Sequence, residues 1–133
     1  MFFISGPDCF ECGMDYVFFV VMIELHIVLR VPVNKSRALT DALQALAKSA
    51  RTQSGCVEVD VYKTVGFPRY VCYDEIWESE TSLRKMIASS HFSRLATLME
   101  LSSEPPACEF RFISQTYGLD FAEQVRANAY DVN

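Results

Sequence analysis

Between Tyr70 and Leu95 the chain changes its hydrophobic period within a few residues, and this limits the folds open to it. Residues 70–77, YVCYDEIW, are rich in aromatic and β-branched side chains that suit a pleated, half-buried surface. Ser79 then offers a hydroxyl to cap a helix, and Glu80 puts a carboxylate in the first turn, where the helix dipole favours it. Leu83, Met86 and Ile87 follow at helical spacing, and a second helix start at Ser90 carries His91 and Phe92. A strand therefore runs into a helix. Trp77, His91 and a carboxylate pair all fall near the junction, which makes it the first place to look for chemistry.

The flanking segments repeat this alternation of elements. Over residues 18–31, Ile23, Leu25, Ile27 and Leu29 alternate with Glu24, His26, Val28 and Arg30, which predicts a strand with one apolar and one mixed face. Pro32 ends it, and Asn34 is placed to cap a helix over 35–52 whose stripe is Leu39, Ala42, Leu43, Leu46, Ala47 and Ala50. Ser54-Gly55 stops that helix, glycine being suited to the left-handed position past a helix end. Residues 56–64 and 70–77 read as neighbouring antiparallel strands around a turn at 66–69. Helical spacing then runs from Ser79 to 101 with a break near Ser89-Ser90. Glu104-Pro105-Pro106 ends it, and residues 108–116 predict a last strand.

The order is β-α-β-β-α-β, which predicts a ferredoxin-like α+β fold: an antiparallel sheet with both helices on one face. Residues 1–15 read as a tail or arm, 16–117 as the domain, and 118–133 as an extension with a short helix. In that helix Asp120 and Glu123 resemble a capping box. The open face of the sheet is expected to carry large apolar groups, and such a patch points to an interface, here dimerisation through the sheet.

Composition excludes several classes. A formal charge of −5, with Lys and Arg scattered, argues against a nucleic-acid partner, which needs a basic patch. The apolar run 16–31 is broken by Glu24, His26 and Arg30, leaving too little to span a bilayer as a helix, and it lacks the flanks of a secretory signal. The expectation is a cytoplasmic protein with no membrane partner. The 5 cysteines cannot form a complete disulfide framework. Cys9 and Cys12 form a CxxC, but it lies in a Gly/Pro-containing segment, and neither His26 nor His91 has a partner at metal-ligand spacing. The pair reads as incidental, and neither a metal nor another cofactor is expected.

The stretch from Gly55 to Phe92 resembles the antibiotic biosynthesis monooxygenase superfamily of small dimeric α+β barrel proteins. The matching pieces are Gly55-Cys56-Val57 at the start of the second strand, Glu75-Ile76-Trp77-Glu78-Ser79 at the end of the third, and Ser89-Ser90-His91-Phe92. With Pro32 and Pro105-Pro106, the resemblance covers roughly residues 22–117. It implies a homodimer whose sheets pack into a barrel, with a pocket between sheet and helices. It also implies one of several activities: cofactor-independent oxygenation of quinols or anthrones, haem degradation, or an isomerase-like reaction. The chain departs from the family where many members carry a first helical His, here Met86, and where an aromatic precedes the strand-three Glu, here Asp74. The helical His that ligates haem would fall near Ala96, which cannot ligate iron.

The candidate site residues follow. His91 is the candidate base for removing a phenolic proton, because imidazole titrates near neutrality; the alternative is a helix-start residue that merely packs. His26, on the mixed face of the first strand, is the second catalytic candidate or else an interface group. Trp77 and Tyr73 are expected to stack on a flat aromatic substrate and orient it with their polar tips, or to form a core cluster. Glu75 is a candidate substrate-binding or catalytic carboxylate of the pocket, or else a structural group that requires a partner if buried, with Arg30 or Arg111 in view. Phe92 and Met86 are candidate pocket walls. The leading expectation is an oxygenase acting on a quinol, anthrone or polyphenol-like molecule with O2. The alternatives are a non-catalytic dimeric barrel that binds a small ligand, and a ketone or enol isomerase using His26 and His91.

Overall fold

In the computed structural model, which describes residues 21–132, the alternating segment forms β1 (Met22–Arg30) at the centre of a four-stranded sheet. Ile23, Leu25, Ile27 and Leu29 are at most 1% exposed. Burying each such side chain contributes roughly 1.5–3 kcal/mol, so this one face anchors the sheet on the helices. The expected N-terminal arm, its Cys9/Cys12 pair and residues 18–20 lie outside the described residues, and Val21 precedes the strand.

Pro32 ends β1, and its carbonyl accepts the Lys35 amide at 3.1 Å, closing a 3-10 turn over Val33–Lys35. Asn34 is held inside that turn and does not cap the helix as expected; α1 (Ser36–Ala50) starts from Lys35 without a side-chain cap. Its stripe Leu39, Leu43, Leu46, Ala47 and Ala50 is buried. Gly55, at φ 90°, takes the left-handed position expected of it and passes the chain to β2 (Cys56–Thr64). A turn at Gly66 (φ 86°) leads to β3 (Phe67–Trp77). The helical region divides near the expected break into α2 (Glu80–Ile87) and α3 (Ser90–Met99). The Ser79 hydroxyl accepts the Ser82 amide at 3.1 Å and the Ser89 hydroxyl accepts the His91 amide at 3.2 Å, so each helix has its own cap.

β4 (Ala107–Ile113) stops earlier than expected, because Ile113 pairs with Met22, where β1 begins and ladder partners run out. α4 (Leu119–Val132) follows, with Asp120 inside its first turn and not at the cap. All pairings are antiparallel and the strand order is β2-β3-β1-β4, which makes this a ferredoxin-like α+β fold. α1 and α2 pack against the sheet, and α3 packs against both of them.

The register shows the open face of the sheet to be mixed where large apolar groups were expected. On the open face Asp60, Asp74, His26 and Glu109 form a row across the strands, and Glu58, Ile76, Glu24 and Arg111 form the next. These two rows are charged and mainly acidic, and the next row of the same face, Tyr62, Cys72, Val28 and Ala107, is mainly apolar. Large apolar groups are also exposed on β4 and α4, at Phe110, Phe112, Leu119, Phe121 and Val125.

The two left-handed glycines give a graded stability prediction. A Cβ at Gly66 meets nothing within 4 Å, so Gly66→Ala carries only backbone strain, about 1–2 kcal/mol. A Cβ at Gly55 would lie 2.4 Å from the Ser82 Cβ, so the same strain is joined by a clash against the start of α2. Urea denaturation should show Gly55→Ala as clearly the more damaging of the two; equal midpoints would contradict this packing.

Candidate functional site

Alternation along β3 sends Tyr73, Glu75 and Trp77 to the helix-covered face, and the start of α3 places His91 above them. All four side chains are at most 2% exposed. A buried carboxylate must find donors, and Glu75 finds three. Tyr73 donates its hydroxyl to Oε2 at 2.5 Å, Trp77 donates Nε1–H to Oε1 at 3.0 Å, and His91 Nε2 lies 2.5 Å from Oε2. Neither arginine considered as a partner takes part: Arg30 lies 3.7 Å from Glu104, and Arg111 pairs with Glu109 and Glu24. On adjacent strands, the residues level with Glu75 are Leu25 and Val59, so the carboxylate is flanked by apolar side chains.

This geometry assigns the histidine tautomer. An ionised carboxylate only accepts, so Nε2 of His91 carries the proton and donates it to Glu75. In the neutral ring Nδ1 then holds a lone pair, and that buried atom has no partner among the described residues. The arrangement is an oriented imidazole with one nitrogen left for a proton from elsewhere. Burial first, and the Glu75 carboxylate second, push the Tyr73 hydroxyl well above the ordinary tyrosine range, with the Arg51 guanidinium opposing. Burial and Glu75 likewise raise the Cys56 thiol.

The other expected residues divide. Met86 is 1% exposed in the same core. Phe92 turns toward β4, its ring centroid 6.5 Å from that of Phe110. Tyr73 and Trp77 do not offer their polar tips to a substrate as expected, because Glu75 engages both. His26 is on the opposite face of the sheet, paired across the ladder with Asp74, so it and His91 cannot flank one substrate as acid and base. Its Nδ1 lies 2.5 Å from Asp74 Oδ1, and the Tyr62 hydroxyl donates to Asp74 Oδ2 at 2.6 Å. Burial, then Asp74, raises that phenol above its ordinary range as well.

This second cluster was missed in the sequence. The alternation placed Asp74 opposite Glu75 in sense, but the register that brings Tyr62 to it is a tertiary property. Among the described residues no three His, Cys, Asp or Glu side chains gather where they could hold a metal ion. No described helix is long and apolar enough to cross a membrane.

Residues 22–98, more than half of the chain, match the family of antibiotic biosynthesis monooxygenases. The chain belongs to that family. Among solved structures, a conserved protein of Methanosarcina mazei superposes with a TM-score of 0.62 at 21% identity, over 73% of this chain and 95% of that one. A candidate antibiotic biosynthesis monooxygenase of Nitrosomonas europaea gives 0.64 at 14% identity, over 77% and 100%. Another, of Deinococcus radiodurans, gives 0.65 at 15% identity, over 72% and 96%. At these identities the likeness establishes the fold alone. No curated protein matches in sequence. Both Glu75-Ile76-Trp77 and His91 fall inside the matched antibiotic biosynthesis monooxygenase region.

Two outcomes follow from the buried network. Glu75→Ala strands three donors and should destabilise by about 3–5 kcal/mol, the usual loss when one partner of a buried pair is removed. Chemical denaturation measures it, and a loss below about 1 kcal/mol would contradict the network. The raised Tyr73 hydroxyl keeps its proton in the folded state after the unfolded chain has begun to lose it. Stability should therefore hold below about pH 10 and fall as pH rises beyond it. In Tyr73→Phe that alkaline decline should be shallower, as thermal midpoints from pH 8 to 11 would reveal.

Proposed function

We propose that the protein is a cofactor-independent monooxygenase that oxidises a quinol-, anthrone- or polyphenol-like molecule with O2. The observation that carries this reading is His91, held by Glu75 through Nε2 and left, among the described residues, with no partner for Nδ1 in a buried, mostly apolar setting. A phenol or enol whose hydroxyl meets Nδ1 gives up its proton there, and Glu75 stabilises the imidazolium that forms. The resulting electron-rich anion passes an electron to oxygen, the radical pair combines at carbon, and loss of water from the peroxide leaves a ketone. For an anthrone-type methylene the balance is CH2 + O2 → C=O + H2O. Tyr73 and Trp77 act here as positioning residues, since they hold the carboxylate that orients the base. Met86 and Phe92 border the same core from α2 and α3. A homodimer, implied by the family resemblance, belongs to this reading.

One observation favours a second reading. The cluster is sealed, and neither of two described surface depressions, one beside Val33–Lys63 and one between α1 and α3, is lined by any of its members. A non-catalytic barrel that binds a small apolar ligand and uses Glu75 as a structural tie has the same geometry.

Oxygen uptake with a panel of quinols and anthrones, in chelator, separates the two. The oxygenase reading expects turnover that falls by about 10²–10⁴-fold in His91→Ala, the usual span for a lost general base. Uptake unaffected by that change, or none above buffer for any compound, would favour the binding protein.

A further inference from the structure

The enclosure of the Glu75–His91 cluster is thinnest toward β4. Cross-strand register puts Val59, Glu75, Leu25 and Phe110 in one row on the helix-covered face, and Trp77, Ile23 and Phe112 in the next. Phe110 and Phe112 therefore stand two strand spacings, about 10 Å, from Glu75 and Trp77, with one aliphatic side chain of β1 between. α1 packs along β2 and β3 and against α3, and α3 packs against α2. Among the described elements, β4 packs extensively only on β1.

At the seam between α3 and β4 one pair of rings meets. Phe92, the residue after His91, faces Phe110 with centroids 6.5 Å apart and planes tilted by 37°. Phe110 is 39% exposed and Phe112 55%, whereas Leu25, Ile23 and His91 behind them are at most 2% exposed. Two rings on separate elements can slide apart for the loss of dispersion contacts alone. None of Phe92, Phe110, Phe112, Ile23 and Leu25 carries a charge, so the seam suits a flat apolar visitor that presents π-faces to π-faces.

We propose that Phe92 and Phe110 form an aromatic gate through which a planar, uncharged aromatic molecule reaches Nδ1 of His91, the rings parting to stack on it. This rests on the reading of His91 as a base and adds to it the route and the shape of the substrate. The rival route is the depression between α1 and α3, lined in part by Leu46 and Leu98, where those helices pack against each other.

Carbethoxylation by diethyl pyrocarbonate tests the route without a substrate, because the reagent attacks an imidazole nitrogen that holds a lone pair. The chain has 2 histidines, so peptide mass spectrometry of the full protein follows His91 with His26, on the opposite face of the sheet, as internal reference. Phe110→Ala should speed His91 labelling relative to His26 by about tenfold or more, since reaction of a buried group follows its local opening. Should that variant fail to fold, Phe110→Leu, which removes the ring and keeps aliphatic bulk, carries the same expectation. Phe110→Trp should not speed it, and Leu98→Ala, which enlarges the rival depression, should change it by less than about twofold. Labelling indifferent to loss of the Phe110 ring, or sped as much by Leu98→Ala or Phe110→Trp, would overturn the gate. Oxygen uptake is read separately. Faster labelling without turnover of any quinol keeps the route and removes the oxygenase reading, whereas turnover with indifferent labelling removes the gate alone.

Discussion

A carboxylate with no access to water is the constraint on which the middle of this molecule depends. Glu75 lies on a strand face otherwise given to Val71, Tyr73 and Trp77, and an ion there is tolerable only with its oxygens satisfied. Strand periodicity supplies two donors at once, since Tyr73 and Trp77 flank Glu75 on the same face two residues either way. The third comes from His91, sixteen residues on, and needs α3 to begin where it does. The Ser89 cap therefore serves the site as well as the helix: by fixing the first turn of α3 it fixes the imidazole over the carboxylate.

The same strand carries a second acid–imidazole–phenol cluster on its other face, one residue away. Asp74 binds His26 and Tyr62 as Glu75 binds His91 and Tyr73, but at the open surface of the sheet. The two differ in setting. The Glu75 cluster is enclosed by helices and core, and the Asp74 cluster stands among Asp60, Glu109 and Glu24, where Arg111 offsets only part of the charge. Adjacent residues on a strand point to opposite faces, so two histidines that seem equivalent candidates in sequence have no common substrate.

Apolar surface is distributed contrary to a simple ferredoxin-like expectation. The inner face of the sheet is covered over β1 and β3, but at the β4 edge the cover gives out and Phe112 remains more than half exposed. α4 adds the exposed Leu119, Phe121 and Val125 to it.

The sequence by itself determined the order and kind of the elements. Period two over β1, the helical stripe of Leu39, Leu43 and Leu46, the hydroxyl of Ser79, and glycine at position 55 are local signals. Each acts within a few residues through sterics, capping or hydrophobic patterning. They also placed Tyr73, Glu75 and Trp77 on one face, because alternation needs no knowledge of the partner strand. Only the tertiary structure decided which donor reached which acceptor. That Glu75 takes His91 and not an arginine depends on how α3 crosses the sheet. That Asp74 takes Tyr62 depends on the β2–β3 register, and the acidic rows of the open face depend on all three ladders together. These are long-range relations, set by packing and strand pairing, and no period or spacing along the chain encodes them.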